Sequence, residues 1–450
     1  MPPRPGATDT AVGRSNVTEA RLVAAELCAA LRRGELLDPA FERGATHLDA
    51  RDRRWTQELI YGMLRRRAWI DAVLAARVRG GLARLDPDVI DLLRLGVYQL
   101  LHMGSVPAYA AIAQTVELAK RRHGIGASKL VNAVLRRVDR EREALDVPSP
   151  SDPIDALALE CSHPRWIVAR WVARWGAAET RALLTANNRE APVVLRPYGI
   201  SCEQLEATLE SAGVGVEDVP LVRDSIQLGG GVSLTELGAY RQGLFFVQDP
   251  ASTLVTRYAA IPPGSMVADV CAAPGGKALE LARDATAVAA GDRSFTRMQR
   301  AVAGFHRVDA RNIHPIVADA RHPALRPVDA VLVDAPCTGT GTFRRHPDAR
   351  WRLKISDLAV MAALQRSLLR AAAGVVKPGG LLVYATCSLE PEENDAQIES
   401  FLAEGSEWRL EPPADGAVPE SVLDAGRLRL LPHRHGVDGA FAARLRRVSG

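Results

Sequence analysis

The chain has 450 residues, enough for about three domains of ordinary size. Hydrophobic residues make up 47% and charged residues 24%, a composition that excludes a chain disordered throughout. The net charge of +4 is uneven: residues 1–145 contain 24 Lys and Arg against 17 Asp and Glu, which indicates a polyanionic partner, although a solvated surface in a chain with 52 arginines explains the excess equally well.

The N-terminal segment and the cysteines indicate a cytoplasmic protein. Residues 1–15 lack the apolar core of a secretory signal, and we expect them to form a disordered tail. No apolar stretch approaches the ~18 residues that a membrane helix requires. The six cysteines lie far apart and form no CxxC pair, which argues against a disulfide framework or a zinc site. We therefore expect neither a metal nor a membrane contact.

The hydrophobic periodicity changes along the chain and predicts three domains. Residues 16–146 repeat a helical period and predict an all-α domain, which the Pro- and Ser-rich linker 147–153 follows. Residues 154–250 begin as helix and continue as short β-rich segments, so we predict a small α+β domain. In residues 251–450 apolar strands alternate with helices, a pattern that predicts a Rossmann-like, doubly wound parallel α/β sheet. The predicted parallel strands are 267–271, 285–292, 313–319, 330–334 and 381–386.

The first of these strands runs into a glycine-rich turn. Small residues there allow backbone amides to approach a ligand at the edge of the sheet. The turn is neither a dinucleotide GxGxxG nor a P-loop, because Ala278 follows Lys277 where a P-loop has Ser or Thr. The candidate cofactor-binding residues of this turn are Cys271, Ala272, Ala273, Pro274, Gly275, Gly276 and Lys277.

Acidic residues lie at the ends of the next two predicted strands. Asp292 is where a ribose diol would be held, and Asp319 is where the amino group of an adenine would lie. Each acidic residue taken alone is explained as well by a capping carboxylate of a tight turn. The turn, Asp292 and Asp319 follow three successive predicted strands. In this order they together predict a nucleoside-type cofactor.

Two cysteines follow the last two predicted strands. Cys337 closes the segment that begins at Asp334, and Cys387 follows Thr386. A lone cysteine is most often an inert core residue. Because the carboxyl ends of parallel strands meet at one edge of a sheet, we expect these two cysteines to share a site.

The motifs DVCAAPGGK, DAPCTGTG, RRHPD and YATCSLEPEEN resemble those of the RNA cytosine-C5 methyltransferases that use S-adenosylmethionine. Residues 93–101, 106–112 and 130–137 resemble the NusB-like RNA-binding domain. A NusB-like domain ahead of this catalytic domain is similar to the arrangement of the RsmB (Sun/Fmu) family, which methylates a cytosine of 16S ribosomal RNA. One departure is Ala440, where family members usually carry an aromatic residue.

The resemblance implies a cofactor, a substrate and roles for the candidate residues. S-adenosylmethionine would be the methyl donor, S-adenosylhomocysteine the product and 16S ribosomal RNA the substrate, with a monomer expected and no metal. Carbon 5 of cytosine is a poor nucleophile, so a thiolate must first add to carbon 6. The family pattern assigns that addition to Cys387 and release of the adduct to Cys337. It assigns to Asp334 hydrogen bonds with N3 and the exocyclic amine of the cytosine, the supply of the proton that stabilises the adduct, and a contact with the cofactor. Cys337 as nucleophile, as in the DNA cytosine methyltransferases, is the alternative.

The basic segment after the fourth predicted strand is the candidate RNA contact. Arg344, Arg345, His346 and Arg350 would place cations beside the pocket, whereas a solvated helix start is the plainer interpretation. Transfer RNA is the alternative substrate. Methylation of an exocyclic amine is disfavoured because those enzymes have a [DN]PP[YF] motif, and an RNA-binding protein without activity is disfavoured because every catalytic motif residue is present.

Overall fold

A computed structural model of the protein describes residues 17–230 and 232–448. The predicted tail, residues 1–15, lies outside the described residues. The chain divides into two compact units, the first ending at Val168 and the second beginning at Ala169. Within the described ranges, no helix has both the length and the apolar character needed to cross a membrane.

The described part of the first unit contains helices and no β-strand, which confirms the all-α prediction for this part of the chain. Helix α5, Pro87–His102, shows how the sequence starts a helix. The Asp86 side chain accepts a hydrogen bond from the Asp88 backbone N–H, and Pro87 occupies the first helical position. Gly124, with φ of 80°, breaks α6 into two parts. The helices are α1 Glu19–Arg32, α2 Leu37–Gly44, α3 Ala50–Arg65, α4 Arg67–Ala75, α5 Pro87–His102, α6 Ala108–Glu141, α7 Pro153–Glu160 and α8 Arg165–Asn187, the last of which continues into the second unit.

The second unit contains a small antiparallel sheet of four strands in the order β2-β3-β1-β4. The predicted small α+β fold is confirmed. Its elements are β1 Val194–Pro197, α9 Cys202–Ser211, β2 Val216–Asp218, β3 Ile226–Leu228, α10 Gly238–Arg241 and β4 Phe245–Val247.

The same unit contains a nine-stranded mixed sheet in the order β11-β12-β13-β9-β8-β5-β6-β7, with β10 paired to β13. Strands β5 to β9 are parallel to one another, and the remaining strands are antiparallel. The strands are β5 Met266–Asp269, β6 Ala287–Asp292, β7 Ile313–Val317, β8 Val328–Asp334, β9 Val376–Thr386, β10 Trp408–Leu410, β11 Leu423–Asp424, β12 Arg427–Leu430 and β13 Ala440–Arg447.

Helices cover both faces of this sheet, so successive residues of its strands are buried on alternate sides. Leu332 and Val383 pack with α11, α12 and α13, whereas Val331 and Leu382 pack with α15 and α16. The doubly wound architecture predicted from the sequence is therefore confirmed. The helices are α11 Pro250–Ala259, α12 Gly276–Leu281, α13 Phe295–Arg307, α14 Ala349–Arg352, α15 Ile355–Ala373, α16 Asp395–Ala403 and α17 Pro432–His435.

The antiparallel strands after residue 404 were not predicted, and for three of the four the sequence shows why; β12 is the exception, because its four residues do alternate. Strands β10 and β11 have only three and two residues, too few for a period-two pattern. Strand β13 is buried on both faces over its first six residues, so its sequence does not alternate between apolar and polar residues.

Candidate active site

The order of the parallel strands creates a crevice at one edge of the large sheet. From β5 the chain moves outward through β6 and β7 and then returns to the other side of β5 with β8 and β9. Ligands of open α/β sheets bind where the strand order reverses in this way, beyond the carboxyl ends of the strands. Three loops meet there: the turn after β5, the loop after β8 and the loop after β9.

The turn after β5 is compact and ends at the start of α12. The Ala272 N–H donates to the Gly291 carbonyl over 2.8 Å, and the Gly275 N–H donates to the Ala272 carbonyl over 2.7 Å. Gly275 has φ of 107°, and a Cβ atom there would lie 2.6 Å from the Phe305 ring. Only glycine satisfies both conditions at this position.

Asp269, the last residue of β5, was not among the predicted site residues. It is fully buried, and neither carboxylate oxygen has a hydrogen-bond partner of ordinary geometry in the described residues. Burial, followed by the negative charge of Asp334, raises its pKa to about 7, and the backbone N–H of Cys271 offsets this only in part. The available signal was an acidic residue closing a buried strand just before the glycine-rich turn. Such a group is a candidate ligand contact.

Lys277 and Asp334 join the turn after β5 to the end of β8. Lys277 Nζ donates to Asp334 Oδ2 over 2.8 Å and lies 3.4 Å from the Ser252 hydroxyl oxygen. Burial alone would lower the pKa of Lys277, but the charge and hydrogen bond of Asp334 outweigh it and raise that pKa. The lysine is therefore a cation at the edge of the crevice.

Cys337 and Cys387 lie together, with their Sγ atoms 3.4 Å apart. Both side chains are half-buried. The hydrogen bond from Cys337 is the main cause that lowers the pKa of Cys387; burial and the charge of Asp334 oppose it, and the charges of Lys277 and His346 add to it. Cys387 is therefore the thiol of the pair that ionises first.

The pKa of Cys337 shifts in the opposite direction. Its hydrogen bond to Cys387 raises it most, and burial and the charges of Cys387 and Glu393 raise it further. The two opposite shifts favour ionisation at Cys387 and a proton on Cys337. The two cysteines, which we expect from the strand pattern to share a site, lie side by side in the structure.

The predicted carboxylates at the ends of the next strands are both held by nearby protein groups. Asp292 is buried and accepts hydrogen bonds from the Ser294 N–H at 2.7 Å and Arg297 at 2.9 Å. Asp319 is one-third exposed, and Arg321 contacts both of its carboxylate oxygens at 3.0 Å. A small apolar cavity at this end of β6 and β7 is lined by Val270, Ala289, Gly291, Ile316, Ala318, Ala320, Pro323, Ala324 and Leu325.

The structure corrects part of the predicted RNA contact. Arg344 is buried and pairs with Asp249 at 3.0 Å and with Asp438, and Arg345 pairs with the same two carboxylates. These guanidinium groups are engaged by the protein because they neutralise two buried acids.

Arg350 is also held inside the protein rather than at the surface. It is fully buried, and it donates to the Asn188 side chain at 2.6 Å and to the backbone carbonyls of Asn187 and Phe343. The expectation that Arg344 and Arg350 contact RNA is therefore not supported. His346, by contrast, acts on the active site: its charge is one of those that lower the pKa of Cys387.

Helix α8 anchors the segment that follows Cys387. The Trp171 indole N–H donates to a carboxylate oxygen of Glu390 over 2.9 Å, and Arg170 pairs with the same carboxylate at 2.9 Å. Arg174 donates to the Leu389 carbonyl. These contacts have no signature in the sequence, because residues 219 positions apart in the chain form no local pattern.

The described residues contain no group of three or more His, Cys, Asp or Glu side chains suited to a metal ion. Candidate groups at this edge are thiols, one ion pair and one unsatisfied carboxylate. This set suits nucleophilic addition and proton transfer to a bound base.

Comparison with family models covers most of the chain. Residues 18–140 match the NusB family, residues 163–235 match the ferredoxin-like domain described for RsmF/B-like methyltransferases, and residues 260–446 match the model described as 16S rRNA methyltransferase RsmB/F. The helical domain, the small domain and the mixed-sheet domain thus each have a counterpart.

Individual relatives match over nearly their full length. A probable ribosomal RNA small subunit methyltransferase B of Synechocystis is 34% identical over 93% of this chain and 96% of its own. The ribosomal RNA small subunit methyltransferase B of Pseudomonas syringae is 34% identical over 95% of this chain and 97% of its own. The crystal structure of PH0851 has a TM-score of 0.80 and 28% identity, and it covers 96% of this chain and 99% of its own.

Proposed function

The chain belongs to the RsmB/F family of 16S ribosomal RNA methyltransferases, and we propose that it transfers a methyl group from S-adenosylmethionine to carbon 5 of a cytosine in small-subunit ribosomal RNA. The observation that carries this proposal is the pair of thiols, Cys337 and Cys387, 3.4 Å apart at the carboxyl ends of β8 and β9. Transfer to an exocyclic amine would require neither thiol. The relatives' names supply the ribosomal substrate.

The buried acid Asp269 is the main reason why the crevice fits the proposed cofactor. Its carboxyl oxygens have no hydrogen-bond partner of ordinary geometry among the described residues, and the methionine part of S-adenosylmethionine has an ammonium group that would satisfy them. When bound, the cofactor supplies an electrophilic methyl group. The turn residues 271–277 would hold it with Asp292 at the ribose, Asp319 at the adenine and Asp334 nearby.

The cysteine pair suits the two halves of a covalent mechanism. Cys387, whose pKa is lowered, would add to carbon 6 of the cytosine, so that carbon 5 gains the electron density it needs to attack the methyl group. The new bond at carbon 5 leaves a proton there that must be removed before the Cys387–carbon bond can break. Once Cys387 is bonded to carbon 6, the hydrogen bond and the charge that keep the proton on Cys337 are gone, so Cys337 would lose that proton to water. As a thiolate it would then accept the carbon-5 proton, while the electron pair of the breaking carbon 6–sulfur bond returns to Cys387.

Asp334 would hold the base. Its Oδ2 accepts a hydrogen bond from Lys277 Nζ, and its carboxyl group would hydrogen-bond N3 and the exocyclic amine of the cytosine. His346 would lie beside the bound nucleotide, since its charge already acts on Cys387. Among the four basic residues named from the sequence, His346 and the partly exposed Arg345 remain the candidates for RNA contact.

Trapping of the covalent adduct tests this proposal. Cys337→Ala and Cys387→Ala variants are incubated separately with 16S RNA and S-adenosylmethionine, and denaturation-resistant protein–RNA adducts are measured together with methyl incorporation. We expect the adduct to accumulate in Cys337→Ala and to be absent from Cys387→Ala. The reverse pattern would exchange the two roles. Methylation of transfer RNA but not of 16S RNA by the unmodified protein would contradict the substrate and retain the chemistry.

A further inference from the structure

Glu393 is a buried acid behind the cysteine pair that the mechanism above does not use. It ends the short 3-10 turn Pro391–Glu393 and is fully buried. Its carboxylate accepts hydrogen bonds from the Thr338 N–H and the Gln365 side-chain amide, both at 2.9 Å, and from the hydroxyls of Thr338 and Ser388. No lysine or arginine forms an ion pair with it in the described ranges, so hydrogen-bond donors alone surround this acid.

These donors are the immediate neighbours of the two cysteines. Thr338 follows Cys337, and Ser388 follows Cys387, so a single carboxylate connects the loop after β8 to the loop after β9. Gln365, which donates to Glu393, also donates to the Pro336 carbonyl over 2.9 Å on the other side of Cys337. The distance between the two Sγ atoms therefore depends on contacts that converge on Glu393.

We propose that Glu393 is a positioning residue of the methyl-transfer reaction, which holds the two cysteine loops together and retains the proton on Cys337 so that this thiol donates to Cys387. The catalytic meaning of this inference rests on the proposed function. Alkylation of the two thiols depends on neither RNA nor cofactor, so it tests the positioning role separately from the proposed function.

The charge of Glu393 acts on Cys337 in the direction that the proposal requires. It raises the pKa of Cys337, after the larger effects of the hydrogen bond to Cys387, of burial and of the charge of Cys387. Glu393 is not among the main groups that act on the pKa of Cys387, where Asp334 and Lys277 oppose one another. The carboxylate thus favours a proton on Cys337 in addition to the hydrogen bond between the two thiols.

Glu393→Gln separates the charge of this residue from its role as a link. The amide oxygen can still accept from Thr338 N–H and Gln365, and the amide NH₂ can donate to the hydroxyls of Thr338 and Ser388, since a hydroxyl also accepts. The variant thus removes the negative charge and retains contacts to both loops. Glu392→Gln is the matched control, because it makes the same change at the adjacent, half-exposed residue.

The full-length proteins are treated with iodoacetamide over a range of pH, and labelling of each cysteine is measured by mass spectrometry. We expect unmodified protein and Glu392→Gln to label Cys387 at least about tenfold faster than Cys337, because the thiolate is the reactive form. In Glu393→Gln we expect this preference to fall by about tenfold, which corresponds to roughly one pKa unit between the thiols. An unchanged preference in a Glu393→Gln protein of normal melting temperature would overturn the proposal.

Further measurements distinguish positioning from mere folding. We expect Glu393→Gln to lower kcat for methyl transfer while KM for RNA stays the same, and Glu393→Asp, which retains the charge, to restore the labelling preference. If Glu393→Gln does not fold, Thr338→Val and Ser388→Ala each remove one hydroxyl donor to the carboxylate, and a labelling preference unchanged in both would equally overturn the proposal. Labelling as expected without methylation of ribosomal RNA would contradict the proposed function alone.

Discussion

Lys277 Nζ donates a hydrogen bond to Asp334 Oδ2 over 2.8 Å. The two charges of this ion pair have opposite effects on the pKa of Cys387. The lysine lowers the pKa of that thiol, whereas the aspartate raises it. The pair also joins the glycine-rich turn to the end of β8. The reactivity of Cys387 is thus linked to the loop that would hold the cofactor.

Substitutions in this pair should shift the titration of Cys387 in opposite directions. Lys277→Met removes the cation and should raise the pH at which Cys387 is half-alkylated by iodoacetamide by roughly one unit. Asp334→Asn removes the neighbouring anion and should lower that pH. Both shifts are measured by mass spectrometry without RNA.

Lys377→Met provides the control for loss of a lysine. Lys377 is half-exposed and pairs with Asp329 at 2.6 Å, so its replacement removes one ion pair at a distant end of the strands and should leave the Cys387 titration unchanged. Shifts of the same sign in Lys277→Met and Asp334→Asn would contradict the electrostatic account.

The sequence predicted local features better than the contacts between distant segments. Each predicted parallel strand ends at or within two residues of the observed end, because buried strands and the turns after them have local signatures. The joint position of Cys337 and Cys387 followed from that topology. The burial of Arg350 could not be predicted, because its partners Asn187 and Asn188 lie 160 or more positions away.

Asp269 illustrates a second limit of the sequence. The sequence shows that Asp269 ends a predicted strand. Whether its carboxylate oxygens accept hydrogen bonds depends on which side chains fill the crevice. An acidic residue at a strand end is usually a capping group. Only the three-dimensional surroundings identify it as an unsatisfied acceptor.

Replacement of Arg344 should affect stability and not RNA affinity. Arg344→Met leaves Asp249 and Asp438 with Arg345 as their remaining guanidinium partner in this cluster, and loss of one member of a buried ion-pair network costs about 3–5 kcal/mol. Denaturant unfolding measures the first effect. The slope of RNA affinity against salt concentration measures the second, because a lost phosphate contact reduces that slope by about one. If Arg344→Met reduced the salt dependence of RNA affinity and left the free energy of unfolding unchanged, Arg344 would contact RNA as the sequence predicts.

Removal of the indole donor of Trp171 should destabilise the segment after Cys387. Trp171→Phe keeps an aromatic ring at this buried position but removes part of the packed volume and the indole N–H. The loss of one donor to the buried Glu390 carboxylate alone costs about 1–3 kcal/mol. Hydrogen exchange of residues 388–394 should increase in this variant. Trp175→Phe, one turn later on the same helix and half-buried, is the control, and equal exchange in the two variants would mean that the indole hydrogen bond does not anchor the segment.

Asp269 should make stability depend on pH in a direction opposite to that of most acids. Its pKa is about 7 in the folded protein and about 3.9 in the unfolded chain, so between these values unfolding releases a proton. The stabilisation from this group is complete below pH ~4 and is lost as the pH rises to about 7, a change of roughly 4 kcal/mol. Asp269→Asn lacks this titration, and its stability relative to the unmodified protein should therefore increase by that amount from pH 4 to pH 8.

Melting temperatures of the two proteins across this pH range measure the effect, and addition of S-adenosylmethionine extends the test to the proposed cofactor contact. An ammonium group placed against Asp269 would stabilise its charged form, so the gain in melting temperature on addition should be larger for the unmodified protein than for Asp269→Asn at pH 8. Parallel pH profiles for the two proteins would show that the carboxyl group of Asp269 is satisfied in solution. Equal gains would remove Asp269 from the proposed cofactor site and leave the roles of the two cysteines untouched.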